Sequence, residues 1–302
     1  MDKIFTHTDL DGVGCAILAK YYNPAIEVEF CDYDNVDQKV SDFLDNNIAL
    51  GDLYITDISV SEEVAKRIDY DTDFILLDHH PTSLELNKFK CCTVKVEDEN
   101  TGLKTCGTEM FYHWLVEHGY LYKSETLNRF VEIVRDYDTW RWVELGDLGV
   151  ECKLINDLLY IYGKDNFMEW CLEGFSNDIF PYFTDIESTL LKLRQEEIDK
   201  YVEKKDNEMF TQTLCGKVSG IVFANKFTSE LGNRLCKLHP EIDFVTMIDI
   251  EDCTVSYRTV KDDIDLGRDV AALFGGGGHP KAAGSQFDKT VWINIFKDIF
   301  GR

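Results

Sequence analysis

Three things are scarce in this chain, and each absence narrows its function. Positive charge is the first: 31 lysines and arginines face 56 aspartates and glutamates, for a formal net charge of −25. Proteins that track long nucleic acid carry a basic face to neutralise phosphates. Long nucleic acid is therefore not the expected partner, and a small anionic substrate would need bound cations or a few local arginines to draw it in. Cysteine motifs are the second. Ten cysteines are scattered with no C-x-x-C spacing, although Cys91 and Cys92 are adjacent, which argues against structural zinc and for reduced thiols. Long apolar runs are the third. No stretch approaches about 20 apolar residues, so no membrane span is expected. The N-terminus shows no basic region followed by an apolar run, so no signal peptide is expected and a cytoplasmic location is.

What is present is enough for a globular protein. Of the 302 residues, 44% are hydrophobic and 13% aromatic, which suits a folded chain of two domains. Lys3–Thr6, Val28–Cys31, Leu53–Thr56 and Phe74–Leu77 read as strands. Helical patterns fall between them at Val13–Tyr21, at Val36–Leu44 and after Ser61, a plausible N-cap. Alternation of this kind predicts βαβ units and a parallel sheet, and the near-continuous apolar strands predict burial on both faces. Helices are predicted at Thr108–Glu117 and Glu125–Arg135, with more helix to about residue 174. The stretch Thr184–Glu208, charged and free of proline and glycine, reads as a long helix joining the domains. A second α/β unit follows, with strands at Gly220–Phe223, Phe244–Ile250 and Thr254–Thr259, and helices at Ser229–Leu238 and Asp269–Phe274.

Five acidic or histidine-bearing segments punctuate this pattern: His7-Thr8-Asp9-Leu10-Asp11-Gly12, Thr56-Asp57-Ile58, Asp78-His79-His80, Asp136-Tyr137-Asp138, and Gly275-Gly276-Gly277-Gly278-His279. Four of them follow apolar runs, which puts carboxylates and imidazoles at the ends of core elements, where open α/β sheets build their sites. Taken alone, an aspartate after a strand is usually a turn or cap. So many ligand atoms together are costly unless metal ions neutralise them. Residues His7, Asp9 and Asp11 share one side of an extended segment, and Gly12 is read as permitting a sharp turn after them. Mixed histidine and carboxylate ligands suit Mn²⁺ or a similar hard ion such as Mg²⁺ or Co²⁺. Four carboxylates balance two divalent ions, with Asp57 as the natural bridge, and such a pair would activate water against a phosphate ester. His7, Asp9, Asp11, Asp57 and His79 are the expected ligands. Asp136 is preferred as the sixth because it directly follows the apolar run, with Asp138 as the alternative.

These segments resemble the DHH phosphoesterase superfamily, which takes its name from motifs like Asp78-His79-His80. The run Gly275–Gly284 resembles the glycine-rich motif of its DHHA1 domain and sets the chain apart from the family II pyrophosphatases. The resemblance implies an α/β fold with residues 1–183 as the catalytic domain, 184–207 as a linker helix and 208–302 as a smaller substrate-binding domain. It implies two Mn²⁺ ions per site, one held by His7, Asp9 and Asp57 and the other by Asp11, Asp57, His79 and Asp136. It further implies that His80 faces the scissile phosphate and that Asp78 orients the histidines. Arg258, Gly275, Gly276, Gly277, Gly278 and His279 would bind substrate, through backbone amides at the glycines and a further charge at Lys281. One residue separates His7 from Asp9, as in RecJ-like members, yet the oligonucleotide-binding module expected of a full RecJ-type exonuclease is missing. Length and layout look most like the phosphodiesterases of short oligonucleotides, the nanoRNases of oligoribonuclease B type. The expected substrate is therefore short RNA or a small nucleotide, cut to nucleoside monophosphates. A RecJ-like DNA exonuclease, a 3′-phosphoadenosine 5′-phosphate phosphatase and a non-catalytic nucleotide sensor are the rival readings, and a homodimer is allowed. Trp140, Trp142, Tyr160 and Tyr162 are available to stack on bases, with core packing the plainer reading.

Overall fold

The computed structural model describes residues 2–46, 51–69, 74–99, 101–291 and 301. The chain divides into two compact units, residues 1–191 and 192–302. The first begins with β1 (Lys3–Thr6), α1 (Leu10–Tyr22), β2 (Glu27–Phe30), α2 (Val36–Asn46), β3 (Leu53–Thr56), α3 (Glu62–Ile68), β4 (Phe74–Asp78) and β5 (Cys92–Val94). These strands form one parallel sheet in the order β2-β1-β3-β4-β5. The chain steps from β1 outward to β2 and then back across to β3. The order therefore reverses between β1 and β3, and the crevice at their C-terminal ends is where such sheets bind ligands.

Both faces of this sheet are covered. On one side Ile4, Tyr54 and Leu77 pack with α1 and with the helices α4 (Gly107–Glu117), α5 (Glu125–Asp138) and α7 (Val150–Ser176). Phe5, Ile55 and Leu76 pack on the other with Val40, Phe43, Val64 and Ile68 of α2 and α3. Residues next to each other in a strand thus face different layers, as the pleat requires. Ser61 caps α3 by accepting from the Val64 amide. Between α5 and α7 lies the short α6 (Arg141–Glu144), and Gly163, at φ 72°, breaks α7 into two segments.

The boundary between the units falls within α8 (Asp185–Glu208), whose Leu191 joins the first unit's core and whose Ile198 and Val202 join the second's. Then come β6 (Phe210–Leu214), β7 (Lys217–Phe223), α9 (Thr228–Leu238), β8 (Phe244–Asp249), β9 (Thr254–Arg258), α10 (Leu266–Asp269), β10 (Gly277–Gly278) and β11 (Ala282–Gln286). They form a mixed sheet in the order β10-β11-β9-β8-β7-β6, in which only β7 and β8 run parallel. Strands β5, β6, β10 and β11 have no counterpart in the sequence reading. The first is three residues long, and the glycine-rich β10 carries no hydrophobic period. Among the described residues, no helix is long and apolar enough to cross a membrane.

Candidate metal centre

The parallel sheet delivers the site. His7 follows β1, Asp57 follows β3, and Asp78 ends β4, so three neighbouring strands present their C-terminal residues side by side. Three groups of ligand atoms gather there, each lying mutually within 4.8 Å: His7 with Asp9 and Asp57, Asp11 with His79 and Asp138, and Asp57 with Asp78, His79 and His80. Asp57 approaches both His7 and His79. One of its oxygens lies 3.9 Å from His7 Nδ1 and the other 3.1 Å from His79 Nε2. His79 Nε2 is also 3.6 Å from Asp11 and 3.6 Å from Asp138.

Local chemistry fixes each position. Asp9 is the N-cap of α1 and accepts from the amides of Asp11 and Gly12. Asp11, one residue into the helix, is held from the other side by α4. The Gly107 and Thr108 amides at the N-terminus of α4 donate to its two oxygens at 2.6 and 2.8 Å, a favourable end of the helix for an anion. Asp57 adopts a left-handed φ of 56°, a conformation rare outside glycine and tolerated best by aspartate and asparagine. Gly107 lets α4 come this close, since a Cβ there would lie 2.6 Å from Asp57 Cβ. Gly12 plays a different part from the turn expected of it. It lies inside α1, and a Cβ would strike the His7 carbonyl at 2.2 Å, so its value is close approach of the helix to β1.

The electrostatics call for cations. Burial, followed by the neighbouring Asp11 and Asp9, pushes the Asp57 pKa well above the usual carboxylate range. The same forces raise Asp138, with burial first and Asp11 next. These are the signs of like charges crowded without a counter-ion. Burial lowers the pKa of His79, which keeps its imidazole neutral and its lone pair available. Buried Asp57 Oδ2 has no hydrogen-bond partner, although buried polar atoms nearly always have one, and His7 Nδ1 lies 3.0 Å from Asp9 Oδ2. A hard, carboxylate- and imidazole-seeking divalent ion fits this donor set.

Of the two candidates for the sixth carboxylate, the structure places Asp138, the alternative, beside Asp11 and His79. Asp136 accepts from the Nε and Nη2 of Arg135 at 3.1 and 3.0 Å and from Arg141 Nη1 at 3.0 Å. Arg135 in turn pairs with Glu109 at 2.8 Å, so Asp136 belongs to a buried ion-pair network. The helix explains the switch. α5 continues to Asp138, and residues two apart on a helix point about 200° apart. Following the apolar run sends Asp136 away from the sheet crevice and leaves Asp138 facing it.

Beside the ligand cluster lies a relay of hydrogen bonds. Ser59 Oγ donates to Asp78 Oδ2 at 2.5 Å, Asp78 Oδ1 meets His80 Nδ1 at 2.7 Å, and His80 Nε2 meets the Tyr33 hydroxyl at 3.1 Å. Burial opposes a charged His80, yet its bond to Asp78 and the surrounding carboxylates raise its pKa overall. Burial raises the pKa of Asp78 but is outweighed by His80, which holds it down at about 2. Tyr33 was not among the expected site residues. Its ring is 62% exposed and lies 5.1 Å from the His7 ring. The sequence cue was its place in the Asp32-Tyr33-Asp34 loop directly after β2.

In the second unit Arg258 ends β9, donates from Nη1 to the Tyr257 carbonyl at 2.9 Å and from Nη2 to Ser229 Oγ at 3.3 Å, and has a buried Nε without a partner. The glycine run is not an open loop. The amides of Gly275, Gly276 and His279 donate to the carbonyls of Ala272, Ala271 and Ala282, while Gly277 and Gly278 form the edge strand β10. Those three amides are therefore engaged within the fold. Lys281 is paired with Asp262 at 2.7 Å. Of the four aromatics, Trp142 packs against the first unit's core and stacks between Tyr137 and Trp140. Trp140 and Tyr160 are exposed, and Tyr162 is partly buried against the core.

No family model matches the chain. It is 34% identical to oligoribonuclease NrnB of Bacillus subtilis over 311 residues, a match covering 99% of this chain and 76% of that protein. Two solved structures share the fold at 13% identity. RecJ of Thermus thermophilus in complex with Mn²⁺ superposes with a TM-score of 0.60 over 98% of this chain and 51% of that one. The pGpG-specific phosphodiesterase PggH of Vibrio cholerae gives 0.52 over 99% and 97%. With its Asp78-His79-His80 motif at the end of β4 and a full-length relative of this kind, the chain belongs to the DHH phosphoesterase superfamily and is a hydrolase.

Proposed function

We propose that this protein is a Mn²⁺-dependent phosphodiesterase that cuts short RNA oligonucleotides to nucleoside monophosphates. The observation that carries the reading is Asp57, with its buried and unpartnered Oδ2, set between His7 on one side and His79, itself beside Asp11 and Asp138, on the other. His7, Asp9 and Asp57 would hold one ion, and Asp11, Asp57, His79 and Asp138 the other. Such ions, when bound, supply positive charge and an activated water to a phosphodiester. Everything else falls to the chain. Asp57 would tie the two sets together from its constrained backbone. His80, with Asp78 on one nitrogen and Tyr33 on the other, is aimed by two fixed partners, and it would stabilise the phosphate or assist the leaving oxygen. Tyr33 would act as a positioning residue through His80. Residues 208–302 would serve as the substrate-binding unit, with Arg258 as its cation. Support for a short substrate comes from the oligoribonuclease relative and from the net charge of −25.

A turnover panel with added Mn²⁺ tests this. It contains pApA, a five-nucleotide RNA, a long single-stranded DNA, 3′-phosphoadenosine 5′-phosphate and cyclic di-AMP. Fast release of monophosphates from pApA and the short RNA, with little from long DNA, is the expected result. Preference for long DNA would replace the proposal with a compact RecJ-like nuclease, and preference for 3′-phosphoadenosine 5′-phosphate with a phosphatase.

A further inference from the structure

The adjacent cysteines Cys91 and Cys92 have no part in the phosphodiesterase reading. Cys91 lies in the turn before β5 and Cys92 is the first residue of that edge strand. Side chains of successive strand residues point to opposite faces, yet here the two sulfurs sit 3.6 Å apart. The turn brings them together, and the backbone holds it. The Cys91 amide donates to Asp69 Oδ1 at 3.2 Å, the Cys91 carbonyl accepts from Leu76 at 2.8 Å, and the Cys92 amide donates to Phe89 at 3.2 Å. Cys92 is buried, while Cys91 is half-buried and within reach of solvent. The hydrogen bond from Cys92 draws the Cys91 pKa down despite burial, toward the thiolate that soft ions bind.

Direct closure of this pair to a disulfide is disfavoured by geometry. Neighbouring Cα atoms are about 3.8 Å apart, short of the roughly 4.4–6.8 Å that a relaxed disulfide spans. An atom inserted between the sulfurs removes that strain. We propose that Cys91 and Cys92 form a dithiol site for a soft, thiophilic ion of trivalent-arsenic type. With an organoarsenic oxide, two As–S bonds form and the As–O bond breaks. The two thiol protons leave with the oxygen as one water, and arsenic keeps its oxidation state. Soft thiolate donors select such ions over those suited to the carboxylate cluster, so this site is independent of the proposed hydrolysis.

The probe is phenylarsine oxide added to the full chain, read by intact mass. One phenylarsenic group per chain should survive excess 2-mercaptoethanol and be removed by 2,3-dimercaptopropanol, because only a dithiol competes with a chelate. Cys91→Ser and Cys92→Ala should each weaken retention by about a hundredfold, the usual worth of a second tethered contact, while Cys215→Ser, at an exposed lone cysteine, should behave as the parent. Should Cys92→Ala fail to fold by circular dichroism, Cys91→Ser decides alone, since its side chain is less buried. No stable adduct, removal by the monothiol, or full retention in Cys91→Ser would overturn the assignment.

Discussion

The two motif-rich regions of this molecule were built by opposite means. In the first unit, residues far apart in sequence meet because a parallel sheet carries the C-terminal ends of β1, β3 and β4 to one edge. At their meeting point Asp57 Oδ2 is buried without a hydrogen-bond partner. In the second unit the glycine run folds on itself, and Gly275, Gly276 and His279 use their amides within the fold. The same density of motif residues thus leaves a carboxylate oxygen open in one unit and engages backbone amides in the other.

Substitutions probe that contrast, and the largest effect is expected at Asp57. Asp57→Asn should lower kcat/KM for pApA by about a thousandfold or more, on the scale of lost electrostatic stabilisation at a reacting centre. Next comes the comparison of Asp138 with Asp136. Asp138→Asn should remove most turnover while leaving the melting temperature near that of the parent. Asp136→Asn should leave Arg135 and Arg141 poorly compensated and cost about 3–5 kcal/mol of stability, the usual penalty for breaking a buried ion pair, measured by urea unfolding. Tyr33→Phe keeps the ring and removes the hydroxyl on His80. A kcat drop of about tenfold with KM little changed is expected for the loss of a supporting partner, and an unchanged kcat would remove Tyr33 from the account.

The glycine run separates by position. A Cβ on Gly276 would meet the Gly284 carbonyl at 2.0 Å, whereas one on Gly277 meets nothing within 4 Å. Gly276→Ala should therefore destabilise the protein by about 1–3 kcal/mol, and Gly277→Ala should leave melting unchanged, so any loss of substrate affinity in the latter reports on the binding role of this edge strand. The smallest effect is expected at His239, whose pKa is raised first by Asp206, 2.5 Å away, and also by Glu241. A raised histidine pKa stabilises the fold fully below its ordinary value near 6.5, and that contribution fades as pH rises through the raised value. Parent stability should decline across that window by less than about 1 kcal/mol, as befits a solvent-exposed pair, and His239→Gln should flatten the decline.

Much of this was legible in the sequence, for identifiable reasons. The strands Lys3–Thr6 and Leu53–Thr56 emerged at their observed limits because apolar runs bounded by polar ligands leave little latitude. His7, Asp57 and His79 lie just beyond strand ends, as the pattern of apolar runs indicated, and Asp9 and Asp11 join them from the start of α1. What escaped depended on direction rather than composition. Asp136 and Asp138 are equivalent in a string and opposed on a helix. Tyr33 reaches His80 only through the parallel pairing of β2 beside β1. The strands β10 and β11 exist through backbone pairing that glycines and alanines do not advertise.

Asp57 would join two sets of ligands into one site for a pair of divalent ions. Equilibrium binding of Mn²⁺, followed by electron paramagnetic resonance, reads that out. The parent chain should take up two ions with the signal of a coupled pair, and Asp57→Asn should lose that coupling along with at least one ion. A single uncoupled ion in the parent, or two coupled ions still bound in Asp57→Asn, would contradict it.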